Sequence, residues 1–175
     1  MAPDEVGSVR RNALIVGLAV VALIALLAFG SDDQLDPQNA VLGGRVPEVA
    51  GETLSGGTYD IDSARGKWVV VNFFATWCPG CITEHPELLA FQEWADTTGQ
   101  AELVAVVFND PPESVAAFFD ANGGDWPVLA NPSIPIEFQV AQIPETFVVA
   151  PSGQVIQHIQ GEVTAADLIA TIEGS

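Results

Sequence analysis

The chain has 175 residues, of which 49% are hydrophobic, enough for one ordinary domain with its own core and a tail. Its formal net charge of -18, from 23 acidic residues against five Lys and Arg, excludes a surface that binds nucleic acid or anionic lipid. The same charge would attract a basic partner, or it would suit a salty habitat.

The N-terminal part carries an uncharged apolar run at residues 13–30, separated from Arg10 and Arg11 only by Asn12. As a helix this run is about 27 Å long, close to the hydrocarbon thickness of a bilayer. Basic residues precede the run and acidic residues follow it, so the positive-inside rule predicts a cytoplasmic N-terminus. A signal peptide cleaved near Gly30 is the alternative. We therefore predict a single-pass cell-membrane protein with a cytoplasmic segment at 1–12, a transmembrane anchor at 13–30, a linker at 31–40 and an extracytoplasmic domain at 41–175.

Strand-like and helix-like segments alternate through the rest of the chain. Continuous apolar runs such as 67–75 are typical of strands buried on both faces of a sheet, and a Pro at the head of a segment favours a helix. In chain order we expect strands at 58–63 and 67–75, a helix from 79 to about 97, a strand at 101–110, a helix at 112–124, a strand at 126–130, a short helix at 132–140, two strands within 145–161 and a helix at 164–173 with Thr164 as its N-cap. This order predicts an α/β domain with a mixed central sheet and helices on both faces.

Both cysteines lie in the stretch WCPGC, from Trp77 to Cys81, where a buried strand gives way to a helix. Cys78 is then at the helix N-terminus, where free N–H groups and the helix dipole stabilise a thiolate. Cys81 lies one turn further on and is placed to attack a mixed disulfide at Cys78. Closing a loop over three residues adds little stability, so the spacing favours a redox pair over a structural staple.

A metal site is the other use of two cysteines at this spacing. A structural zinc site needs four ligands, and only His85 and His158 could join the thiols. We therefore predict no bound metal, and no cofactor other than a redox-active Cys78–Cys81 disulfide. The two thiols alone could hold Cu(I), so a non-enzymatic thiol-based metal chaperone stays open as a function of another class.

The predicted helix also carries Glu84 toward the inner side. One helical stripe with 3-4-3-4 spacing contains Cys81, Glu84, Leu88, Phe91 and Ala95. A carboxyl on this stripe would be partly desolvated, with a raised pKa, and could pass a proton to or from a cysteine. A solvated glutamate favoured by the helix dipole explains the spacing equally well.

The segments VVVNFFATWCPGCITEHPELLAF and QIPETFVVAPSGQVIQHIQG resemble the thioredoxin superfamily. Within it they are most similar to the membrane-anchored TlpA/ResA/CcmG (DsbE)-like thiol-disulfide oxidoreductases of cytochrome c maturation, over about residues 41–175. The resemblance implies a thioredoxin-like fold and a cis Ile143–Pro144 bond beside the dithiol. It also implies that the backbone there, with Trp77 and Pro79, binds an extended substrate segment.

Asn72 stands where thioredoxins carry a buried Asp, which removes that acid-base group. The resemblance implicates Glu84 in its place. It further implies an extracytoplasmic enzyme that reduces the cysteines of apocytochrome c before haem attachment. Its partners would be protein thiols or disulfides, a membrane electron donor and the bilayer, and no nucleic acid. A general extracytoplasmic disulfide reductase, or an oxidase, is the alternative, because the sequence does not fix the reduction potential.

Overall fold

The computed structural model describes residues 41–175, so the predicted segments 1–12, 13–30 and 31–40 lie outside the described residues. Within the described range, no helix is long and apolar enough to cross a membrane. The strands are β1 (Ala50–Glu52), β2 (Thr58–Asp60), β3 (Trp68–Phe74), β4 (Ala101–Val107), β5 (Val128–Leu129), β6 (Glu145–Val149) and β7 (Val155–Gln160). The α-helices are α1 (Pro79–Thr98), α2 (Pro112–Asn122), α3 (Ser133–Glu137) and α4 (Ala165–Glu173).

Five strands form the central sheet in the order β5-β4-β3-β6-β7. The middle strand, β3, runs parallel to β4 and antiparallel to β6, with Val71 opposite Val104 on one side and Phe147 on the other. The predicted mixed sheet is therefore confirmed. β3 is apolar on both faces because both faces are covered, and it points its C-terminal end at the start of α1.

The two faces of β3 bury alternate residues. Val70 and Phe74 face a core shared with α1, α2 and α4. Val69, Val71 and Phe73 face a second core, closed by the N-terminal part of the described chain and the short helix α3. Helices thus lie on both faces, as predicted, although three of the four α-helices described pack on one face.

The structure corrects two predicted strands. The strand expected at 58–63 ends at Asp60, whose side chain accepts a hydrogen bond from the Asp62 N–H and caps a 3-10 turn at Ile61–Ala64. The part that does form a strand, β2, pairs with β1 in a separate two-stranded sheet. β1 was not predicted because three residues are too few to show the apolar-polar alternation of a strand. The strand expected at 126–130 is reduced to β5. Pro127, just before β5, has no N–H for a ladder bond.

Candidate active site

The two cysteines lie at the junction between β3 and α1 and are joined by a disulfide bond. Cys78 is the N-cap of α1, and its Sγ accepts a hydrogen bond from the Cys81 N–H at 3.1 Å. Pro79 occupies the first turn, where a helix has no N–H bond to lose. The predicted position of the pair at a helix N-terminus is confirmed. In this oxidised state both residues are buried.

The loop that carries Cys78 is fastened to the loop after β4. The backbone N–H and the Oγ1 of Thr76 both donate to Oδ2 of Asp110, at 2.6 and 2.7 Å. The Trp77 indole N–H donates to the Asn109 carbonyl at 3.1 Å, yet the residue stays 55% exposed. Trp77 therefore presents apolar surface beside the disulfide. That it contacts a substrate there stays a prediction.

The Ile143–Pro144 peptide bond is cis, as the resemblance implied. A β-carbon built on Gly80 would lie 3.1 Å from Cδ of Pro144, so the proline ring packs against the turn that carries the disulfide. The Pro144 carbonyl accepts a hydrogen bond from the Gly161 N–H at 2.9 Å, which ties this segment to the end of β7. The structure therefore brings together the two distant segments predicted to form the site.

Glu84 is buried, with 1% of its surface exposed, and lies one helical turn beyond Cys81. The whole stripe predicted from spacing is buried, and His85 is buried beside it. The Oε1 atom of Glu84 accepts a hydrogen bond from Nδ2 of Asn72 at 2.8 Å, and its Oε2 accepts one from the Val163 N–H at 3.1 Å. The alternative of a solvated first-turn glutamate is therefore wrong.

Asn72 is the residue that ties Glu84 to the central sheet. It is fully buried and, by the alternation of β3, faces α1. Its Nδ2 also donates to Oγ1 of Thr146, directly opposite on β6, at 3.0 Å. The sequence indicated only that Asn72 replaces the buried Asp of thioredoxins, and it did not predict a role for Asn72 itself. A polar residue inside an otherwise apolar strand was the signal that could have identified its role.

Burial raises the pKa of Glu84 from 4.5 to about 7, because desolvation penalises the charged carboxylate. The hydrogen bonds from Asn72 and Val163 favour the charged form and oppose this shift, whereas the negative charge of Glu162 adds to it. A carboxyl with this pKa is present in both protonation states near neutral pH. It can therefore accept a proton from a cysteine thiol or return one to a leaving sulfur.

The histidines occupy two different settings. His85 packs against the rings of Phe118 and Trp126, and its Nε2 lies 3.0 Å from the Gly123 carbonyl. Burial lowers the pKa of His85, which favours the neutral ring.

In the part of the chain that the structure describes, no three His, Cys, Asp or Glu side chains are grouped as metal ligands would be.

His158 pairs with a buried glutamate that sequence reasoning missed. Glu145 directly follows the cis proline, and its Oε2 lies 2.8 Å from Nε2 of His158. The His158 ring stacks on Phe147 with ring centroids 4.1 Å apart. Because His158 belongs to β7, the pair fastens the start of β6 to the next strand. Finding it from the sequence would have required the register of the two strands.

Comparisons with known proteins agree with this geometry. A model of the AhpC/TSA family matches residues 42–158. The chain is 31% identical over 155 residues to the thiol:disulfide interchange protein HelX of Rhodobacter capsulatus, covering 84% of this chain and 85% of HelX. It is 25% identical over 170 residues to the thiol-disulfide oxidoreductase ResA of Geobacillus kaustophilus, covering 94% of this chain and 97% of ResA.

The fold comparison gives the same result. A crystal structure of a thiol:disulfide interchange protein of the thioredoxin family, from Chlorobium tepidum TLS, matches with a TM-score of 0.69 and 29% identity. The match covers 74% of this chain and 94% of that chain. The thioredoxin-like fold predicted from the sequence is confirmed.

Proposed function

The chain belongs to the AhpC/TSA family and is a thiol-disulfide oxidoreductase, and from this premise we propose that it reduces the cysteine pair of apocytochrome c outside the cytoplasmic membrane. The observation that supports this proposal most is the buried Glu84 carboxyl one turn from Cys81. The resemblance to the cytochrome c maturation group implicates this glutamate, where a thioredoxin would use the strand position held by Asn72.

The reaction begins with the reduced dithiol. The Cys78 thiolate attacks one sulfur of the substrate disulfide, forms a mixed disulfide and expels the other substrate sulfur as a thiolate. The Cys81 thiolate then attacks Sγ of Cys78 and expels the second substrate sulfur. The substrate gains two electrons, and the enzyme is left with the Cys78–Cys81 disulfide seen in the structure.

Glu84 acts on the second step. Cys81 must lose its proton before it attacks, and the neighbouring carboxylate is the group that accepts it. In the reverse direction the protonated carboxyl returns the proton to the Cys81 sulfur as it leaves. A pKa of about 7 suits both directions, because neither form of Glu84 is scarce at neutral pH.

The substrate segment binds on the surface next to Cys78. The backbone at Ile143–Pro144 accepts an extended segment as an added strand, and exposed Trp77 and Pro79 flank it. The segment 13–30 anchors the enzyme in the membrane, with the domain outside. A membrane electron donor returns the disulfide to the dithiol after each cycle.

Trapping in cells tests this proposal. With Cys81→Ser the mixed disulfide at Cys78 cannot resolve, so substrates accumulate as covalent complexes that thiol reductants release. The matched control carries Cys78→Ser as well and should trap nothing. Apocytochromes c among the trapped proteins support the proposed role. A broad trapped set without apocytochromes overturns it in favour of a general disulfide reductase or oxidase.

A further inference from the structure

An open groove of about 490 Å³ lies beside the redox site. It runs between the loop after β4 and the short helix α3, and apolar residues form most of its wall. Six of them are Val107, Phe108, Pro112, Pro135, Ile136 and Val140. Ile136 is 75% exposed, the largest exposed fraction among the large apolar side chains of the described chain. We call this feature the Ile136 groove.

The Ile136 groove is continuous with the loop that carries Cys78. Phe108, in its wall, lies 6.5 Å from the Trp77 ring, measured between ring centroids. Asn109 also lines the groove and accepts the Trp77 indole hydrogen bond. A chain segment bound at Cys78 therefore reaches the groove across the exposed face of Trp77, without leaving the protein surface.

Charges around the groove are all negative within the described chain. Asp110 lines it, Glu137 follows Ile136, and Glu113 follows the lining residue Pro112. On the other side of the disulfide, a carboxylate oxygen of Glu162 lies 3.3 Å from the position that a Gly80 β-carbon would take.

The basic side chains of the described range lie at the opposite end of the sheet. Lys67 immediately precedes β3 and pairs with Glu102, and Arg45 and Arg65 both pair with Asp62. Six residue steps along β3 separate its two ends, a distance of about 20 Å. Because salt screens charges over about 8 Å at physiological ionic strength, these cations do not neutralise the dithiol end.

We propose that the Ile136 groove docks the stretch of a protein substrate next to its reactive cysteine, and that it selects a stretch with an apolar side chain beside a Lys or Arg. The apolar wall buries the apolar side chain, and the carboxylates around it attract the cation. This inference rests on the proposed exchange reaction and names the class of substrate that the reaction accepts.

Synthetic peptides test the preference with the full-length chain in nanodiscs of zwitterionic lipid. Each peptide carries one cysteine in a mixed disulfide with thiopyridine. The Cys78 thiolate attacks the peptide sulfur and expels thiopyridone, whose absorbance reports the rate; Cys81 then releases the peptide thiol. The four peptides place Leu or Ser directly after the cysteine, and Lys or Glu directly after that residue.

The Leu-Lys peptide should react about tenfold faster than the Leu-Glu peptide at low ionic strength, and the advantage should shrink as salt is added. It should also react about tenfold faster than the Ser-Lys peptide, since a Leu side chain loses water on docking. In Ile136→Ser, the ratio of the rates for the Leu and Ser peptides should fall close to one. In Glu137→Lys, the ratio of the rates for the Lys and Glu peptides should fall close to one. The control Ile156→Ser, an exposed isoleucine on β7, should leave both ratios unchanged.

Two outcomes overturn the docking inference and leave the enzyme assignment intact. Equal rates for all four peptides would mean that the acidic surface serves only solvation. Unchanged ratios in Ile136→Ser, or a dimer in sedimentation experiments that Ile136→Ser converts to monomer, would remove the groove as a substrate site. Failure to reduce dithiodipyridine itself would instead refute the proposed exchange reaction.

Discussion

Replacing Glu84 with Gln removes a titratable group while keeping its size. The Gln oxygen can still accept the hydrogen bond from Asn72, although its NH2 group cannot accept the one from the Val163 N–H. Gln can neither take the proton of Cys81 nor return it. With its pKa at about 7, Glu84 is about half ionised at pH 7, whereas a thiol of ordinary pKa is only about 3% ionised. Without the base, the second step of exchange at pH 7 should therefore slow by about tenfold.

Stopped-flow mixing of the reduced full-length chain with dithiodipyridine separates the two steps. The second, unimolecular phase reports attack by Cys81. In the unchanged protein its rate should rise with pH through a midpoint near 7. In Glu84→Gln the midpoint should move to the range of an ordinary thiol, about 8.5, so the difference narrows at high pH. The matched control Glu93→Gln, an exposed glutamate on the same helix, should keep the original profile.

The same pKa shift predicts a change of stability with pH. The folded state binds the Glu84 proton more tightly than the unfolded state, so this contribution to stability is complete below pH 4.5 and is lost as pH rises to about 7. A shift from 4.5 to about 7 corresponds to about 3 kcal/mol. Urea unfolding at pH 4.5 and 8 should show this loss in the unchanged protein and not in Glu84→Gln. Identical rate and stability profiles from pH 5 to 9 would refute the acid-base role.

Three further predictions concern the partners and the setting of the site. Asn72→Leu removes a hydrogen bond that favours the Glu84 carboxylate, so the midpoint of the second exchange phase should rise above pH 7; a fall would contradict the geometry. Leu168→Ala opens a cavity where α4 packs on α1 and should cost about 3 kcal/mol in urea unfolding, against less than about 1 kcal/mol for the exposed Ile156→Ala; equal costs would contradict the packing. Protease added outside cells with a permeable envelope should degrade the domain that carries Cys78, and full protection would place it on the cytoplasmic side.

Much of this architecture was predictable because local patterns carry it. Apolar runs identified the central strands, and the 3-4-3-4 spacing identified the buried stripe of α1 with Glu84 on it. Pro79 marked the helix start and so placed Cys78 at its N-cap. These features depend on neighbours a few residues apart, which a sequence displays directly.

The partners of the site were not predictable in the same way. The Val163 N–H that holds Glu84 comes from 79 residues further along the chain, and a backbone group leaves no trace in side-chain patterns. The pairing of Glu145 with His158 depends on the register of β6 and β7, which shifts between Val148 and Val149. Tertiary contacts of this kind appear only once the sheet is assembled.

The central claim is that the Cys78–Cys81 dithiol reduces an apocytochrome c disulfide. The most direct test is a single turnover in which the reduced full-length chain is mixed with an equal amount of apocytochrome c whose cysteine pair is oxidised. Alkylation of free thiols, followed by mass spectrometry, reports where the electrons are. We predict two new free thiols on the apocytochrome and a Cys78–Cys81 disulfide in the enzyme. An apocytochrome whose cysteine pair stays oxidised would contradict the claim. So would the reverse reaction, in which the oxidised enzyme converts the two thiols of a reduced apocytochrome into a disulfide.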